Sequence, residues 1–361
     1  MSIRRYLKQM VCVLALLSAP VLADYELTEM ASDLDHPWSI AFLANGDYLV
    51  TERPGKLLHL AKNGTKTSVN GVPDTYFAGQ GGFFDVLTQT TDGGTRVYLS
   101  YAKGTPDGNG TAIYAADLVD MELKNGRDIF WAKTLKDTPQ HYGGRMVFGR
   151  DNTLFITTGD GFDYRESAQD KRSELGKVLR ITLDGSVADG NPFKGELSER
   201  IWSYGHRNPQ GLAIDSANGN LYLHEHGPKG GDEINRIERG NNYGWPLATY
   251  GVNYSGARVS PYTEYPGTQQ PIHYWTPSIG PSGFAIYRGE LFPEWQGDLF
   301  VGALVDREVR RLVLKDGRIT SEQSVFPEIR ERIRDIRVGP EGALYIVTDG
   351  ANGRIIKVSK D

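Results

Sequence analysis

The feature that most constrains the fold of this chain is a degenerate repeat that occurs six times. Each copy has an apolar strand, a turn containing glycine or asparagine, a second strand rich in Tyr, Phe and aliphatic residues, and then a basic strand. The six turns fall at Asn45-Gly46, Asp92-Gly93, Asp151-Asn152, Asn218-Gly219, Gln296-Gly297 and Glu341-Gly342. Such turns between alternating apolar strands are typical of β-hairpins. We therefore expect six hairpins in one repeating architecture.

The spacing of the copies indicates how the hairpins assemble. They recur about every 45 to 80 residues, which accommodates one four-stranded propeller blade with loop insertions. Closing such blades into a ring leaves few sheet edges exposed, which protects a long antiparallel protein from aggregation. The composition agrees, because 43 Gly and 19 Tyr accompany few long runs of helix-forming residues. The sequence predicts an all-β fold, a six-bladed β-propeller with four antiparallel strands per blade, as a single domain over residues 24–361.

The N-terminus has the composition of an export signal. Residues 1–23, MSIRRYLKQMVCVLALLSAPVLA, combine a basic start, an apolar segment and small residues at the end. The apolar segment is too short to span a membrane comfortably. We expect a secretory signal peptide cleaved after Ala23 and a periplasmic mature protein without a membrane span, with an uncleaved anchor as the alternative.

Composition also excludes several classes of function. The only cysteine, Cys12, lies inside the predicted signal peptide, so disulfides, thiolate metal sites and cysteine nucleophiles are not expected. The formal charge of the whole chain is −5, and loss of Arg4, Arg5 and Lys8 with the signal peptide brings it to −8. An acidic chain of this kind argues against nucleic acid as a partner.

Polar residues recur at one phase of the repeat, just ahead of the first strand of a copy. Because loops at one end of a propeller converge on its central channel, these residues should meet there. Guanidinium groups suit bidentate pairing with carboxylates, which predicts a small, planar, anionic ligand. The alternative is that the arginines form salt bridges with Asp335 and neighbouring acids. The set includes Gln80, His141, Arg207, Asn208, Arg332 and Arg334.

A second group of residues is suited to a cation. Backbone carbonyl and side-chain oxygens are the donors that Ca²⁺ prefers. The candidate donors after one strand are Gly227, Pro228, Asp232, Glu233 and Asn235. His224 and His226 are two residues apart, so in a strand their side chains lie on the same face. They are either half-exposed side chains or a metal pair, although a third zinc ligand is not evident.

His141 is the residue best placed for acid–base chemistry. It lies in a glycine-rich turn, HYGGR, that lets a ligand approach closely. An imidazole with a pKa of about 6.5 can accept a proton at neutral pH. Serine nucleophile elbows, phosphate-binding loops and paired catalytic carboxylates are missing from recognisable positions. Hydrolysis by a serine mechanism is therefore not expected.

These residues resemble a known family. The passages GQGGFFDV, HYGGRMVFG, GHRNPQGLA, EHGPKGGDEIN, NNYGWP and RIRD are similar to those of the soluble aldose sugar dehydrogenases of the glucose/sorbosone dehydrogenase family, over nearly the whole mature chain. The resemblance implies oxidation of aldose sugars at the anomeric carbon to lactones, with pyrroloquinoline quinone (PQQ) and Ca²⁺ as cofactors. It also implies an external electron acceptor of the quinone, dye or cytochrome type, and a monomer or homodimer.

The resemblance also implies roles for individual residues. His141 would take the proton from the anomeric hydroxyl while hydride passes to the quinone. The carbonyl oxygens of Gly227 and Pro228 would bind the Ca²⁺ that polarises the quinone, and Glu233 and Tyr243 match a further calcium site. The residues implied to hold PQQ are Gln80, Arg207, Asn208, Arg332, Arg334, Ala303, Leu304 and Val305.

Three features depart from the family pattern. Gln140 stands where better-known members have Asp before the catalytic histidine, and Val305 stands where they have a cofactor-binding Lys. Either Arg307 replaces that lysine or one contact is lost. The 249–281 loop also differs, which leaves the substrate range and subunit contacts open. Two alternative functions remain: a metal-dependent propeller lactonase or other hydrolase, and a non-catalytic sugar-binding propeller.

Overall fold

Residues 25–360, which the computed structural model describes, form six four-stranded antiparallel sheets. The first strand of the chain, β1 (Glu26–Leu34), belongs to the last sheet. Blade 1 contains β2 (Pro37–Phe42), β3 (Tyr48–Glu52), β4 (Lys56–Leu60) and β5 (Lys66–Val69). Blade 2 contains β6 (Phe83–Thr91), β7 (Gly94–Thr105), β8 (Gly108–Val119) and β9 (Glu122–Trp131). Blade 3 contains β10 (Met146–Phe148), β11 (Thr153–Thr158), β12 (Lys177–Thr182) and β13 (Ile201–Tyr204).

The second half of the chain repeats this arrangement. Blade 4 contains β14 (Pro209–Ile214), β15 (Leu221–Glu225), β16 (Asp232–Ile237) and β17 (His273–Trp275). Blade 5 contains β18 (Pro281–Ile286), β19 (Leu299–Ala303), β20 (Glu308–Lys315) and β21 (Arg318–Val325). Blade 6 contains β22 (Ile333–Val338), β23 (Leu344–Thr348) and β24 (Gly353–Ser359), with β1 as its outermost strand.

The ring is closed by the pairing of the two ends of the described chain. In blade 6, β1 pairs with β24, so that Glu26 lies opposite Ser359 and Leu34 opposite Gly353. The first strands of the blades contact one another around the central channel. The fold is therefore the predicted six-bladed β-propeller with four antiparallel strands per blade.

All six predicted turns join the first and second strands of a blade. The Asn218-Gly219 turn, for example, connects β14 to β15, and Gly219 has a φ of +83°. Glycine adopts this left-handed conformation without the steric cost that a Cβ atom would bring. The local turn signals therefore identified the inner hairpin of every blade correctly.

The hydrophobic core is divided among the interfaces between neighbouring blades. Leu49 of blade 1 packs with Val86 of blade 2, and Ile113 of blade 2 packs with Met146 of blade 3. Corresponding clusters join blades 3 and 4, 4 and 5, 5 and 6, and 6 and 1. Because each sheet buries both of its faces against its neighbours, its apolar residues are shielded only when the ring is complete.

A buried ion network crosses the central channel. Arg145 Nη1 lies 2.9 Å from Asp335 Oδ1 and 3.4 Å from Asp85 Oδ1. Arg337 bonds Asp85, Asp335 and the hydroxyl of Ser39. Asp85, Arg145 and Asp335 are each at most 2% exposed. Two guanidinium groups thus balance two carboxylates, and the network links strands from blades 1, 2 and 6 to the start of blade 3.

The longest connections between strands are residues 159–176, 183–200 and 238–272. Residues 159–176 connect β11 to β12 and contain a 3₁₀ helix at Arg165–Ala168, and residues 238–272 connect β16 to β17. Between residues 25 and 360 there is no helix long and apolar enough to cross a membrane. The predicted signal peptide, residues 1–23, lies outside the described residues.

Candidate active site

A cavity of about 490 Å³ opens at one end of the central channel. In an antiparallel hairpin, the start of the first strand and the end of the second strand lie at the same edge of the sheet. The loops ahead of the first strands therefore converge at this end. The cavity walls include six of the residues at the predicted repeat phase: Gln80, His141, Arg207, Asn208, Arg332 and Arg334.

The 303–305 segment is only partly at the cavity. Leu304 lines it, and the Leu304 carbonyl accepts a hydrogen bond from Arg332 Nη1 at 3.1 Å. Val305 is 60% exposed and lines a neighbouring cavity of about 650 Å³. Ala303 is fully buried in the hydrophobic cluster between blades 4 and 5. The side chain of Ala303 thus packs in the core, and the contact of this residue with the cofactor stays a prediction.

His141 is held by a carboxylate that the sequence prediction missed. Its Nδ1 lies 2.7 Å from Asp160 Oδ1, and both side chains are buried. His141 has a φ of +51°, a region that non-glycine residues enter rarely and often at functional sites. A Cβ on Gly159 would lie 2.1 Å from the His141 carbonyl oxygen, so glycine there lets the two loops meet. The backbone thus brings the imidazole and the carboxylate together.

Further donors fix Asp160 and the loop of His141. Trp245 Nε1 donates to Asp160 Oδ2 at 2.8 Å, and the N–H of Phe162 donates to Asp160 Oδ1 at 2.8 Å. Gln80 Oε1 accepts the backbone N–H of His141 at 2.9 Å. Gln80 thus contacts the candidate base directly, in addition to lining the cavity.

The environment sets the protonation state of this pair. Burial lowers the pKa of His141 below its usual value, although the hydrogen bond to Asp160 opposes this, and the charges of Arg207 and Lys136 lower it further. Burial alone would raise the pKa of Asp160, but the contact with His141 and the Arg207 charge outweigh it and lower that pKa. An ionised Asp160 accepts a hydrogen bond from the Nδ1–H of His141, which leaves Nε2 unprotonated and able to act as a base.

Arg332 and Arg334 are paired, but not with the predicted acid. Arg332 Nε lies 3.0 Å from Asp349 Oδ2, and Arg334 Nη2 lies 3.2 Å from Asp349 Oδ1. Asp335 faces Arg145 and Arg337 in the channel network instead. The salt-bridge alternative was therefore correct about pairing and wrong about Asp335. One carboxylate serves two guanidinium groups, which leaves positive charge for a ligand.

The cavity as a whole carries an excess of positive charge. Arg53, which the sequence analysis did not identify, joins Arg207, Arg332 and Arg334 in the lining, and Asp349 is the one carboxylate among the described lining residues. Four guanidinium groups against one carboxylate leave three positive charges. A volume of about 490 Å³ is within the range of small-molecule sites. The cavity therefore suits a compact ligand with several carboxylates, and PQQ has three.

Carboxylates recur at a second phase of the repeat, at the end of the second strand. Glu52 accepts the N–H of Asp35 in blade 1, and Asp160 accepts from His141 in blade 3. In blade 4 Glu225 accepts from the ring of His206 and the backbone N–H of Arg207, and in blade 6 Asp349 holds both arginines. In four blades, an acid at or just after the end of the second strand contacts a group at or just ahead of the start of the first strand. The recurrence of these acids in the sequence was the signal that would have identified them.

The Gly227-Pro228 loop offers carbonyl oxygens next to the cavity. Arg207 Nη1 donates to the carbonyl oxygens of His226, at 3.1 Å, and Gly227, at 2.7 Å. The Arg207 guanidinium group uses one lone pair of each of these oxygens. A carbonyl oxygen has two lone pairs, so each can accept a second contact. A Cβ on Gly227 would lie 2.3 Å from the Gly230 carbonyl oxygen, so the loop requires glycine. The loop thus presents backbone carbonyl oxygens, the donors that Ca²⁺ prefers, with that of Gly227 already bonded to Arg207.

Asp232 is not available as a metal ligand. Its Oδ1 accepts the N–H of Gly227 and its Oδ2 accepts those of Ile279 and Gly280, at 2.8 to 3.0 Å. Burial raises the pKa of Asp232, and these hydrogen bonds oppose the rise. Asp232 therefore shapes the Gly227-Pro228 loop.

Glu233 and Tyr243 line a small cavity of about 10 Å³, large enough for one water molecule or ion. Glu233 pairs in register with Glu225, and burial together with the Glu225 charge raises the pKa of Glu233 well above its usual value. The Oδ1 atom of Asn235 is buried and has no hydrogen-bond partner within residues 25–360. The hydroxyl of Tyr243 is occupied by the backbone of Arg236 and Glu238, so only its carbonyl can be a ligand. The neighbouring carboxyl groups of Glu225 and Glu233 at this cavity fit a cation, while Asn235 is not among its described lining residues.

The two histidines of the Leu221–Glu225 strand region do not form a metal pair. His224 is fully buried against Phe284, with its Nε2 3.3 Å from the Gly283 carbonyl oxygen. His226 lies beyond the strand in the cavity wall, where its Nε2 is 3.2 Å from Gln210 Oε1. Burial lowers the pKa of both imidazoles, so both are neutral at neutral pH. His224 is a core residue and His226 a cavity residue.

Comparison with known proteins agrees with this geometry. The sequence model of the Glucose / Sorbosone dehydrogenase family matches residues 34–357. The aldose sugar dehydrogenase YliI of Escherichia coli K12 is 41% identical over 365 residues, covering 98% of each chain. The crystal structure of the soluble aldose sugar dehydrogenase of E. coli in its apo form has a TM-score of 0.88 at 40% identity, covering 93% of this chain and 100% of that one. The PQQ-bound aldose sugar dehydrogenase of Streptomyces coelicolor has a TM-score of 0.73 at 28% identity, covering 94% and 99%.

The family match spans nearly all of the described residues. The homologue and both solved structures are named as sugar dehydrogenases, and this chain aligns with 98 to 100% of the length of each. The chain therefore belongs to the glucose/sorbosone dehydrogenase family and is an oxidoreductase that acts on the CH–OH groups of sugars.

Proposed function

We propose that this chain is a PQQ- and Ca²⁺-dependent aldose dehydrogenase that oxidises the anomeric carbon of aldose sugars to give lactones. The observation that carries the proposal is the His141–Asp160 pair, at 2.7 Å, in the wall of a cavity with three excess positive charges. The PQQ-bound structure of the Streptomyces coelicolor relative supports the choice of cofactor. Electrons would then pass to an external acceptor.

In this reaction a side chain of the protein, His141, would remove the proton of the anomeric hydroxyl group. The sugar loses a hydride from its anomeric carbon and a proton from the hydroxyl on that carbon. Bound PQQ would supply the hydride acceptor. His141 Nε2 would take the proton, and the ionised Asp160 would stabilise the resulting imidazolium through the Nδ1–H bond. Trp245 and the Phe162 N–H hold that carboxylate in position.

The charged residues would bind and orient the cofactor. Arg207, Arg332 and Arg334 would face its carboxylates, with Gln80, Asn208 and Leu304 completing the walls. The Gly227 and Pro228 carbonyls would hold Ca²⁺ beside it, and Glu233 with the Tyr243 carbonyl would hold a second ion. Ca²⁺ at the first position would act as a Lewis acid.

Two departures from the family pattern now have a physical interpretation. Gln140 is not needed as a carboxylate, because Asp160 supplies one to the ring of His141. Arg307 is exposed and is not among the described residues that line the cavity, so it does not replace the family lysine at Val305. We infer that the chain binds the quinone with one cationic contact fewer.

Reconstitution of the mature protein with its two cofactors tests the proposal. We expect dye-linked oxidation of aldoses only when both PQQ and Ca²⁺ are added, and loss of this activity on chelation of Ca²⁺. Absence of turnover with every aldose, together with no PQQ binding in an absorbance titration, would contradict the proposal. Hydrolysis of lactones would then favour the hydrolase alternative, and sugar binding without turnover would favour the binding propeller.

Replacing Arg334 by glutamine is expected to weaken PQQ binding about 10- to 100-fold, because a hydrogen bond to a charged group is worth about 1.5–3 kcal/mol. Arg334 is largely buried, and Asp349 keeps Arg332 as a partner in the variant. The dissociation constant can be measured by absorbance titration. Arg330→Gln is the matched control, since Arg330 is exposed and outside the cavity lining. Equal affinities of the two variants would remove Arg334 from the cofactor site.

A further inference from the structure

Lys136 is a buried cation that the reaction outlined above does not use. It is 2% exposed and has no carboxylate within salt-bridge distance among residues 25–360. An unpaired buried ammonium group carries a large desolvation cost. Such a residue requires a structural or functional reason for its position.

The ammonium group is nevertheless fully coordinated. Its Nζ donates to Asn109 Oδ1 at 2.9 Å and to the Thr138 carbonyl at 2.5 Å, and it lies 3.5 Å from the centroid of the Tyr142 ring. The Tyr142 hydroxyl donates to the same Asn109 oxygen at 2.6 Å. A cation over an aromatic face is attracted by the ring quadrupole. These contacts fix Lys136 against the residue that follows His141 in the chain.

The other side of Lys136 contacts the loop of Asp160. A Cβ on Gly161 would lie 2.6 Å from Lys136 Cδ, so the lysine stem packs directly on the backbone next to Asp160. The Thr138 hydroxyl donates to the Gly161 carbonyl at 2.5 Å. Lys136 therefore lies between the loop that carries His141 and the loop that carries Asp160.

We propose that Lys136 is a positioning residue for the His141–Asp160 pair: it joins the two loops and supplies positive charge that opposes protonation of His141. The proposal deepens the function proposed above and rests on it for its effect on catalysis. Its effect on the proton affinity of His141 does not depend on the reaction.

The charges around the His141–Asp160 pair determine in which direction the pKa of His141 should change. Asp160 and Asp137 favour the charged form of Lys136, but burial outweighs them and lowers the pKa of Lys136 to about 7. Positive charge on Lys136 opposes protonation of His141, as does that of Arg207, while Asp160 favours it. Lys177, the other buried lysine near Asp160, donates to the carbonyls of Ser167, Ala168 and Leu175. Removal of the Lys136 charge should therefore raise the pKa of His141.

The first test uses the cofactor-free protein. We expect Lys136→Met to shift the NMR titration of the His141 ring upward by about one pH unit, the usual scale for a nearby charge. The His141 signal is assigned by its loss in His141→Asn. Lys103→Met is the matched control, because Lys103 pairs with Asp128 and lies over Trp131 in blade 2, away from the cavity lining. An unchanged His141 titration in a folded Lys136→Met protein would overturn the proposal.

A second variant separates charge from packing. Lys136→Gln keeps a donor for Asn109 and Thr138 but removes the charge, so it should reproduce the shift even if the methionine variant folds poorly. In the reconstituted enzyme, the acid limb of kcat/KM against pH should move upward by the same amount. A fall in kcat without a shift in either titration would mark Lys136 as merely structural and contradict the proposal. The NMR result stands even if the chain oxidises no sugar, so failure of the proposed function would be distinguishable.

Discussion

Replacement of His141 by asparagine is expected to lower kcat for aldose oxidation by about 10²- to 10⁴-fold, the usual contribution of a positioned general base. Asparagine keeps a polar side chain that can face Asp160, but it has no nitrogen that accepts a proton near neutral pH. The measurement is steady-state, dye-linked oxidation of glucose at saturating PQQ and Ca²⁺. Because burial lowers the pKa of His141, wild-type kcat/KM should be flat through neutral pH and fall only on the acid side of the usual histidine value.

The controls for this prediction separate catalysis from binding. PQQ affinity should be retained in His141→Asn, because the guanidinium groups proposed to bind the carboxylates of the cofactor are unchanged. His59→Asn is the matched substitution: His59 Nε2 lies 3.0 Å from Asp47 Oδ2 in blade 1, and neither residue lines the cavity. His59→Asn should keep full activity. Undiminished aldose oxidation in His141→Asn would remove His141 as the base of the reaction.

The sequence was sufficient to predict the blades because the patterns that specify each hairpin are local. The Asn218-Gly219 turn and its counterparts specify hairpins within about ten residues, and the alternation of apolar residues specifies which face is buried. The closure of blade 6 by β1 was not predicted, because Glu26 and Ser359 lie at opposite ends of the chain. No local pattern distinguishes that strand from a first strand of blade 1. Ring closure depends instead on the clusters between blades.

The candidate site was predicted in part for the same reason. His141, Arg207 and Arg334 share one phase of the repeat, and convergence of loops at one end of the channel was enough to bring them together. Asp160 and Asp349 were missed, because an acid just after a strand is also a common turn residue. Their role depends on the pairing of the first and second strands at the cavity edge, which places each acid beside the loop ahead of its own blade.

Side-chain direction at single positions was the least predictable property. His224 and His226 are two residues apart, yet β15 ends at Glu225, so His226 leaves the strand and enters the cavity wall. Ala303 was assigned to the cofactor through its neighbours, but as the last residue of β19 it belongs to the core. Both positions lie at strand ends, where the alternation of faces stops.

The ion network in the channel leads to the largest expected effect on stability. Replacement of Asp85 by alanine should lower the free energy of unfolding by about 3–5 kcal/mol, the range found when one partner of a buried ion pair is removed. Asp85 accepts hydrogen bonds from the Ser39 hydroxyl at 2.6 Å and the Met146 N–H at 2.9 Å, and it also bonds Arg337. Without it, two buried guanidinium groups share the single carboxylate of Asp335.

The matched comparison lies in the same blade. Asp117 also pairs with an arginine, Arg96, at 2.6 Å, but both side chains are partly exposed. Exposed pairs contribute about 0–1 kcal/mol, so Asp117→Ala should unfold at nearly the wild-type urea concentration. Raised salt should reduce the small effect of Asp117→Ala and leave that of Asp85→Ala largely unchanged, since buried charges are poorly screened. Similar losses in the two variants would mean that the channel network does not hold blades 1, 2, 3 and 6 together, and that the clusters between blades are sufficient to keep the ring closed.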